Sequence, residues 1–154
     1  MNLRSTRVTI KLMKKIQLDL TVPYPIETVW QAIVKPELMS QWLMETDISP
    51  EVGHEFKFKG KPNKGWRGWV DCKVTKVDAP NMIQFTWQNS EKHTPTTITY
   101  TLSKNGDNST HINAVNDGFD STYGAFDGLL FRSMIKFGMK VEFKKKLPTV
   151  LAKM

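Results

Sequence analysis

The C-terminal part of the chain, from Ser121 to Met154, carries two apolar lines at helical spacing. Residues three and four apart share one side of a helix. The first line consists of Phe126, Leu130, Met134, Phe137 and Val141. The second line consists of Phe131, Ile135, Met139 and Phe143. A helix packed on one side needs only one such line. The pattern therefore predicts a long helix with its first line on a sheet and its second on another surface, a cavity or a partner, or else a fully buried core helix.

Strand and helix periodicities alternate at the start of the chain. Even positions from Lys15 to Val22 are apolar, which predicts a strand with one buried face. Pro23 ends that strand, because proline cannot donate to a ladder. Helical spacing then runs from Ile26 to Ile33, and Pro36 opens a second short helix that reaches Trp42.

From Asp47 to Phe119 the pattern has the period of strands. Two long strands are predicted, from Trp66 to about Val77 and from Thr110 to Phe119. Short turns separate the strands, among them an Asn-Gly hairpin signal at Asn105. The predicted inward positions include Phe56, Phe58, Gly68, Val70, Cys72, Val74, Ile83, Phe85, Trp87, Ile98, Tyr100, Leu102, Ile112, Ala114 and Asn116.

The order of these elements predicts an α+β fold. Consecutive strands joined by short turns form an antiparallel meander. The C-terminal helix is the long element available to cover its apolar face. We expect a curved antiparallel sheet around that helix, with two short helices after the first strand. Residues 1–154 are predicted to form one domain, with 1–14 as a possible extension.

Composition narrows the function only slightly. The 154 residues are 40% hydrophobic and 24% charged, with no apolar run long enough to cross a membrane and no secretory signal. Cys72 is the single cysteine, which excludes an intrachain disulfide and favours the cytoplasm. The net charge is +7, but the lysines are scattered and no nucleic-acid-binding motif accompanies them. We expect no nucleic-acid partner, whereas anionic ligands or a membrane surface would suit the charge.

Candidates for catalysis are few. His54, His93 and His111 lie far apart, so neither a metal site nor a cofactor is predicted. The glycines lack phosphate-loop spacing. Cys72 and His54 would form a nucleophilic pair only if their strands were neighbours, and no orienting acid accompanies them.

The inward side chains instead predict a small-molecule site. The candidate ligand-binding residues are Phe56, Phe58, Trp87, Tyr100, Asn116, Phe126, Leu130 and Met134. An apolar pocket with a few polar groups is typical of such sites. The alternative is that these side chains simply fill the core. Asn116 favours a cavity, because a buried amide without partners costs about 1–3 kcal/mol.

Short motifs in order along the chain resemble those of a known family. PIETVWQAI (25–33) and PELMSQW (36–42) are followed by GWV (68–70), VDAP (77–80), FTW (85–87), THI (110–112) and GF (118–119). Together they resemble the START-like (SRPBCC, helix-grip) superfamily. Within it, the chain is most similar to homologues of the C-terminal domain of the activator of the 90-kDa heat-shock chaperone's ATPase. The resemblance covers about Lys15 to Val150.

This resemblance implies a sheet that grips the C-terminal helix, with an apolar cavity between them. Our first hypothesis is a domain that binds a hydrophobic or amphipathic small molecule without catalysis. The second is a protein-interaction or chaperone-modulating module, for which a homodimer is one candidate assembly. The third is a cyclase or hydrolase that uses the cavity, although no acid–base group poised near neutral pH is evident.

Overall fold

A computed structural model describes residues 15–119 and 126–154, the segment 126–132 by its backbone. The strands are β1 (Lys15–Val22), β2 (Glu45–Thr46), β3 (Glu55–Lys59), β4 (Trp69–Asp78), β5 (Met82–Trp87), β6 (Thr96–Lys104) and β7 (Thr110–Asp117). The helices are α1 (Ile26–Val34), α2 (Pro36–Trp42), α3 (Phe126–Val141) and α4 (Leu147–Lys153). A π-helical segment, Glu142–Lys146, joins α3 to α4.

The strands form one antiparallel sheet in the order β1-β7-β6-β5-β4-β3-β2. Apart from β1, every strand lies beside its neighbour in sequence, as a meander requires. The sheet is curled, and a bulge between Val74 and Lys76 shifts the register of β4 against β5. The predicted fold class is therefore confirmed: an antiparallel curved sheet, two short helices after β1, and a long C-terminal helix.

Period-two alternation decides which side chains fill the core. Along β6 and β7, buried and less buried residues alternate, because successive side chains point to opposite faces. The inner face contains the predicted inward residues, Asn116 among them. Two strand boundaries were predicted wrongly: β7 ends at Asp117 and not at Phe119, and the start of β4 also differs. Gly68 has φ +98°, a conformation that L-residues rarely adopt, so β4 begins at Trp69 and not at Trp66.

The two short helices close one end of the sheet. Pro25 precedes α1, and Pro36 is the first residue of α2. Trp42 donates from Nε1 to the Ala32 carbonyl at 2.9 Å, which fastens the end of α2 to α1. Helix α4 packs against both, with Leu147, Val150 and Leu151 buried.

The C-terminal helix presents the opposite apolar line to the sheet from the one predicted. Met134 and Phe137 are 73% and 71% exposed, so the assignment of their line to the sheet was wrong. The residues that face the core are Ile135, Met139, Phe143, Leu147 and Leu151.

The π-helical segment explains how this second line stays on one side. In an α-helix, residues four apart drift by about 40° per step, or about 160° over four steps. A π turn contains more residues and so rotates the chain less per residue. Pro148, which has no N–H to donate to the carbonyl four residues earlier, lies two residues after the end of this segment. The wider turn keeps Ile135 and Leu151 against the same core.

Candidate functional site

Aromatic rings cover the middle of the inner face. Phe56 and Phe58 of β3 meet edge to face, with ring centroids 5.6 Å apart. Phe58 lies 5.3 Å from Trp87, and Tyr100 lies 6.4 Å from Phe143 on the helical side. Such offset and tilted contacts are favourable for aromatic pairs. Phe85 connects the two groups, with ring centroids 6.0 Å from Phe58 and 6.1 Å from Tyr100, so the structure brings together the four aromatic residues of the sheet that were candidates for ligand binding.

Two polar atoms within this face lack partners. Asn116 is fully buried, and its Nδ2 approaches only the Met139 sulfur, at 4.0 Å. Within residues 15–119 and 126–154, its Oδ1 accepts no hydrogen bond and Nε1 of Trp87 donates none. An unsatisfied buried group costs about 1–3 kcal/mol. One unpaired acceptor and one unpaired donor therefore lie in an otherwise apolar setting.

Strand register places these two atoms on neighbouring rows of the same face. Asn116 of β7 lies opposite Ile98 of β6, which lies opposite Phe85 of β5. Trp87 is two residues further along β5. From strand spacing and rise, the two Cα atoms are roughly 12 Å apart.

Glu142 is the residue that sequence reasoning missed. It is partly buried on the π-helical segment, and burial raises the pKa of its carboxyl to about 7, opposed by Lys146. Burial also raises the pKa of Tyr100, with a further contribution from the charge of Glu142. One signal could have indicated it: Glu142 is the only acidic residue after Asp127 and directly precedes a core-line residue, Phe143.

The helical part of the predicted site is only partly described. The side chains of Phe126 and Leu130 lie outside the described residues. Met134 faces solvent, so its predicted place in the site was wrong. Met139 takes the position opposite Asn116.

Cys72 and His54 do not form the nucleophilic pair that was considered. Phe56, not His54, lies opposite Cys72 on the neighbouring strand. His54 Nε2 is 2.8 Å from the Asp47 carbonyl, and Cys72 Sγ approaches the Val70 carbonyl at 4.0 Å. Burial raises the pKa of the Cys72 thiol, so it forms little nucleophilic thiolate. No group of three or more His, Cys, Asp or Glu within 15–119 and 126–154 could hold a metal ion.

An open cleft of about 640 Å³ lies on the other, polar face of β3, β4 and β5. Asp71 at its wall receives hydrogen bonds from Lys57 and, at 3.0 Å, from Arg67. These two cations hold the pKa of Asp71 below its usual range, Lys57 having the larger effect. Arg67 also stacks on the Trp69 ring, 4.6 Å from its centroid. One carboxylate thus pairs with two cations at this wall, and the inner-face residues Phe56 and Cys72 reach the same cleft.

The fold and the order of motifs agree with a comparison against known families. The family described as Activator of Hsp90 ATPase homolog 1-like protein matches residues 23–145. The chain belongs to this family. Its matched region includes both short helices, β2 to β7 and most of the C-terminal helix. No functionally curated protein matches the chain.

Solved structures with the same fold place this family member in the START-like superfamily. A protein from Mesorhizobium loti is 26% identical, with a TM-score of 0.75 over 92% of this chain and 98% of its own. An HSP90 activator from Plasmodium falciparum is 15% identical, with a TM-score of 0.71 over 90% and 96%. DynU16, from the dynemicin biosynthetic locus, is 18% identical, with a TM-score of 0.68 over 90% and 47%. The last two likenesses show the fold alone.

None of the helices described by the structure is long and apolar enough to cross a bilayer.

Proposed function

We propose that this family member binds a hydrophobic or amphipathic small molecule between the inner face of the sheet and the C-terminal helix, without catalysis of its own. The observation that carries the proposal is the pair of buried, unpartnered polar atoms, Asn116 Oδ1 and Trp87 Nε1. A core evolved only for packing gains nothing from them, since apolar side chains of similar shape avoid the penalty. A ligand that offers a donor to Asn116 and an acceptor to Trp87 removes both penalties.

The surrounding side chains define the class of ligand. Phe56, Phe58 and Tyr100 offer ring faces and edges, which suit flat unsaturated or aromatic molecules. Glu142, with its pKa of about 7, adds a carboxyl that is about half protonated at neutral pH. A largely apolar body with a hydroxyl and a carbonyl fits this set.

Native mass spectrometry of protein purified from its own host tests the proposal. We expect an adduct of small organic mass that denaturation releases. Asn116→Leu should abolish the adduct. Asn113→Leu is the matched control, because Asn113 lies on the outer face of the same strand and donates to Asp19 at 3.0 Å. The proposal is wrong if the wild-type protein carries no adduct and no added hydrophobic compound raises its Tm.

A second candidate function is an enzyme that uses the same face. The specific observation in its favour is Glu142, whose carboxyl is poised near neutral pH beside Tyr100, as a general acid or base requires. Masses of ligands recovered from the wild-type protein and from Glu142→Gln distinguish the two functions. Different masses indicate turnover of the ligand, whereas identical masses indicate a protein that only carries it.

A cytoplasmic location, suggested by the single buried thiol of Cys72, stays a prediction.

A further inference from the structure

The side of α3 that faces away from the sheet exposes two large apolar residues one turn apart. Met134 and Phe137 are 73% and 71% exposed, and Val141, one further turn along, is partly exposed. The other large apolar residues that are exposed in the described part of the chain, Val52, Trp69 and Met154, lie outside α3. Single exposed apolar residues are normal on surfaces. Three apolar residues that adjoin on one side of a helix, termed here the apolar ridge (Met134, Phe137 and Val141), form a contiguous patch, and such patches mark interaction surfaces.

A row of lysines runs beside the apolar ridge. Lys136, Lys140 and Lys144 are exposed and spaced four apart. Like charges at this spacing destabilise a helix, so the row does not serve the stability of α3. The stretch from 133 to 146 contains one acid, Glu142, whose charge contributes to the raised pKa of Tyr100. Asp19 of β1 is a described acidic residue whose charge interacts with this row, and it does so with Lys144, at the end of the row.

Charge and shape together select the partner. In a twofold dimer the same surface meets itself, so a second copy would set one lysine row against another. The ridge projects from a helix, and a fluid surface accepts such a projection without a preformed groove. Anionic lipid headgroups match the lysines, and the boundary between headgroups and acyl chains accepts Met and Phe side chains.

We propose that this face of α3 docks on an anionic lipid bilayer. Met134 and Phe137 enter the headgroup boundary, while Lys136 and Lys140 contact lipid phosphates. The helix lies in the plane of the interface and does not span it. The proposal is independent of what the inner face binds, since Ile135 and Met139 on the other side of the helix face the core.

Co-sedimentation with lipid vesicles tests the proposal on the full chain. We expect binding to vesicles of phosphatidylcholine mixed with phosphatidylglycerol, and little binding to phosphatidylcholine alone. Met134→Ser with Phe137→Ser, and separately Lys136→Glu with Lys140→Glu, should each weaken binding by about tenfold or more. Added salt should weaken it as well.

Matched controls come from exposed residues elsewhere. Val52→Ser removes an apolar residue that is 67% exposed, and Lys73→Glu with Lys76→Glu reverses two exposed charges on β4. These variants should bind as the wild type does, and circular dichroism should show every variant folded. Absence of vesicle binding, or equal binding by the ridge variants, overturns the proposal. So does a concentration-dependent dimer, or a captured protein partner, that the ridge substitutions abolish while vesicle binding is unchanged.

Discussion

The two halves of the C-terminal helical run have similar compositions and opposite surroundings. From Phe143 onward, the apolar residues Phe143, Leu147 and Leu151 are almost completely buried. Before Val141, Met134 and Phe137 lie in solvent, and only the side with Ile135 and Met139 reaches the core. Both halves alternate apolar residues with lysines. The difference shows that neighbouring elements, more than composition, decide whether an apolar helix anchors a fold or presents a surface.

The packing partners account for this difference. Helix α4 lies against α1 and α2, which cover its apolar side. The described part of α3 has the sheet on one side, at Asn116, and water on the other. The π-helical segment between them sets the rotation of one half relative to the other. Four predictions test this division, from the largest expected effect to the smallest.

Shortening a buried side chain in the second half of the helical run, from Phe143 onward, should destabilise the protein most. Phe143→Ala is expected to lower the free energy of unfolding by about 3–5 kcal/mol, because it leaves a cavity beside Tyr100. Phe137→Ala, the matched change six residues earlier, should alter it by no more than about 0.5 kcal/mol. Urea unfolding measures both changes in free energy, provided that the dependence on urea concentration (the m-value) is the same for each variant. Equal losses would remove the distinction between the halves.

The junction between the halves should respond to pH. Burial raises the pKa of Glu142 from its ordinary 4.5 to about 7, so between these values the folded protein retains a proton that the unfolded chain has lost. This group therefore contributes less stability as pH rises through that window. Allowing for partial solvent exposure, the loss should be at most about 2 kcal/mol.

Glu142→Gln isolates this contribution. Its stability should vary less between pH 4.5 and 7 than that of the wild type, and it should be the more stable protein above pH 7. Thermal melts across that pH range give the comparison. A Gln variant that follows the wild-type profile would show that the carboxyl is fully solvated.

The inner face beneath α3 should gain stability from a substitution that removes its polar group. Asn116→Leu is expected to raise the free energy of unfolding of the ligand-free protein by about 1 kcal/mol, because it eliminates an unpaired acceptor. Chemical denaturation after ligand removal measures this gain. A loss of 2 kcal/mol or more would mean that the amide is satisfied in the folded protein, contrary to the basis of the proposed function.

The outer side of α3 should be nearly neutral to stability. Met134→Ser with Phe137→Ser is expected to change the free energy of unfolding by less than about 0.5 kcal/mol per site, since both side chains are already in water. Unfolding in urea without vesicles measures this. A larger loss would place the apolar ridge inside a packed interface.

Much of the fold follows from local patterns. The alternation from Lys15 to Val22 predicted β1 with its observed bounds, and proline placement predicted both short helices. Phe56, Phe58, Trp87, Tyr100 and Asn116 were assigned to the inner face because period two leaves only two faces to choose between. The helix offered two apolar lines of similar strength. Periodicity alone cannot rank two such lines, so the wrong one was assigned to the sheet.

The remaining errors depend on long-range geometry. The π-helical segment lies close to Pro148 and joins a helix that packs against α1 and α2. This packing cannot be predicted from local sequence patterns. The elevated pKa of Glu142 arises from burial that this segment produces. Gly68 was read as a strand residue because alternation ignores φ. The unpartnered state of Trp87 Nε1 likewise appears only once its neighbours are in place.

The place of β1 in the sheet has a consequence for how the protein forms. Among the strands that the structure describes, β1 is synthesised before the others, and its partner is β7, from Lys15 opposite Asp117 to Val22 opposite Thr110. About 90 to 100 residues of chain must be synthesised before that partner exists. Pairing at such separation is slow, because the entropy of closing the loop is lost before the contacts form. During synthesis, β1 is an apolar strand with both edges open, the kind of segment that chaperones protect.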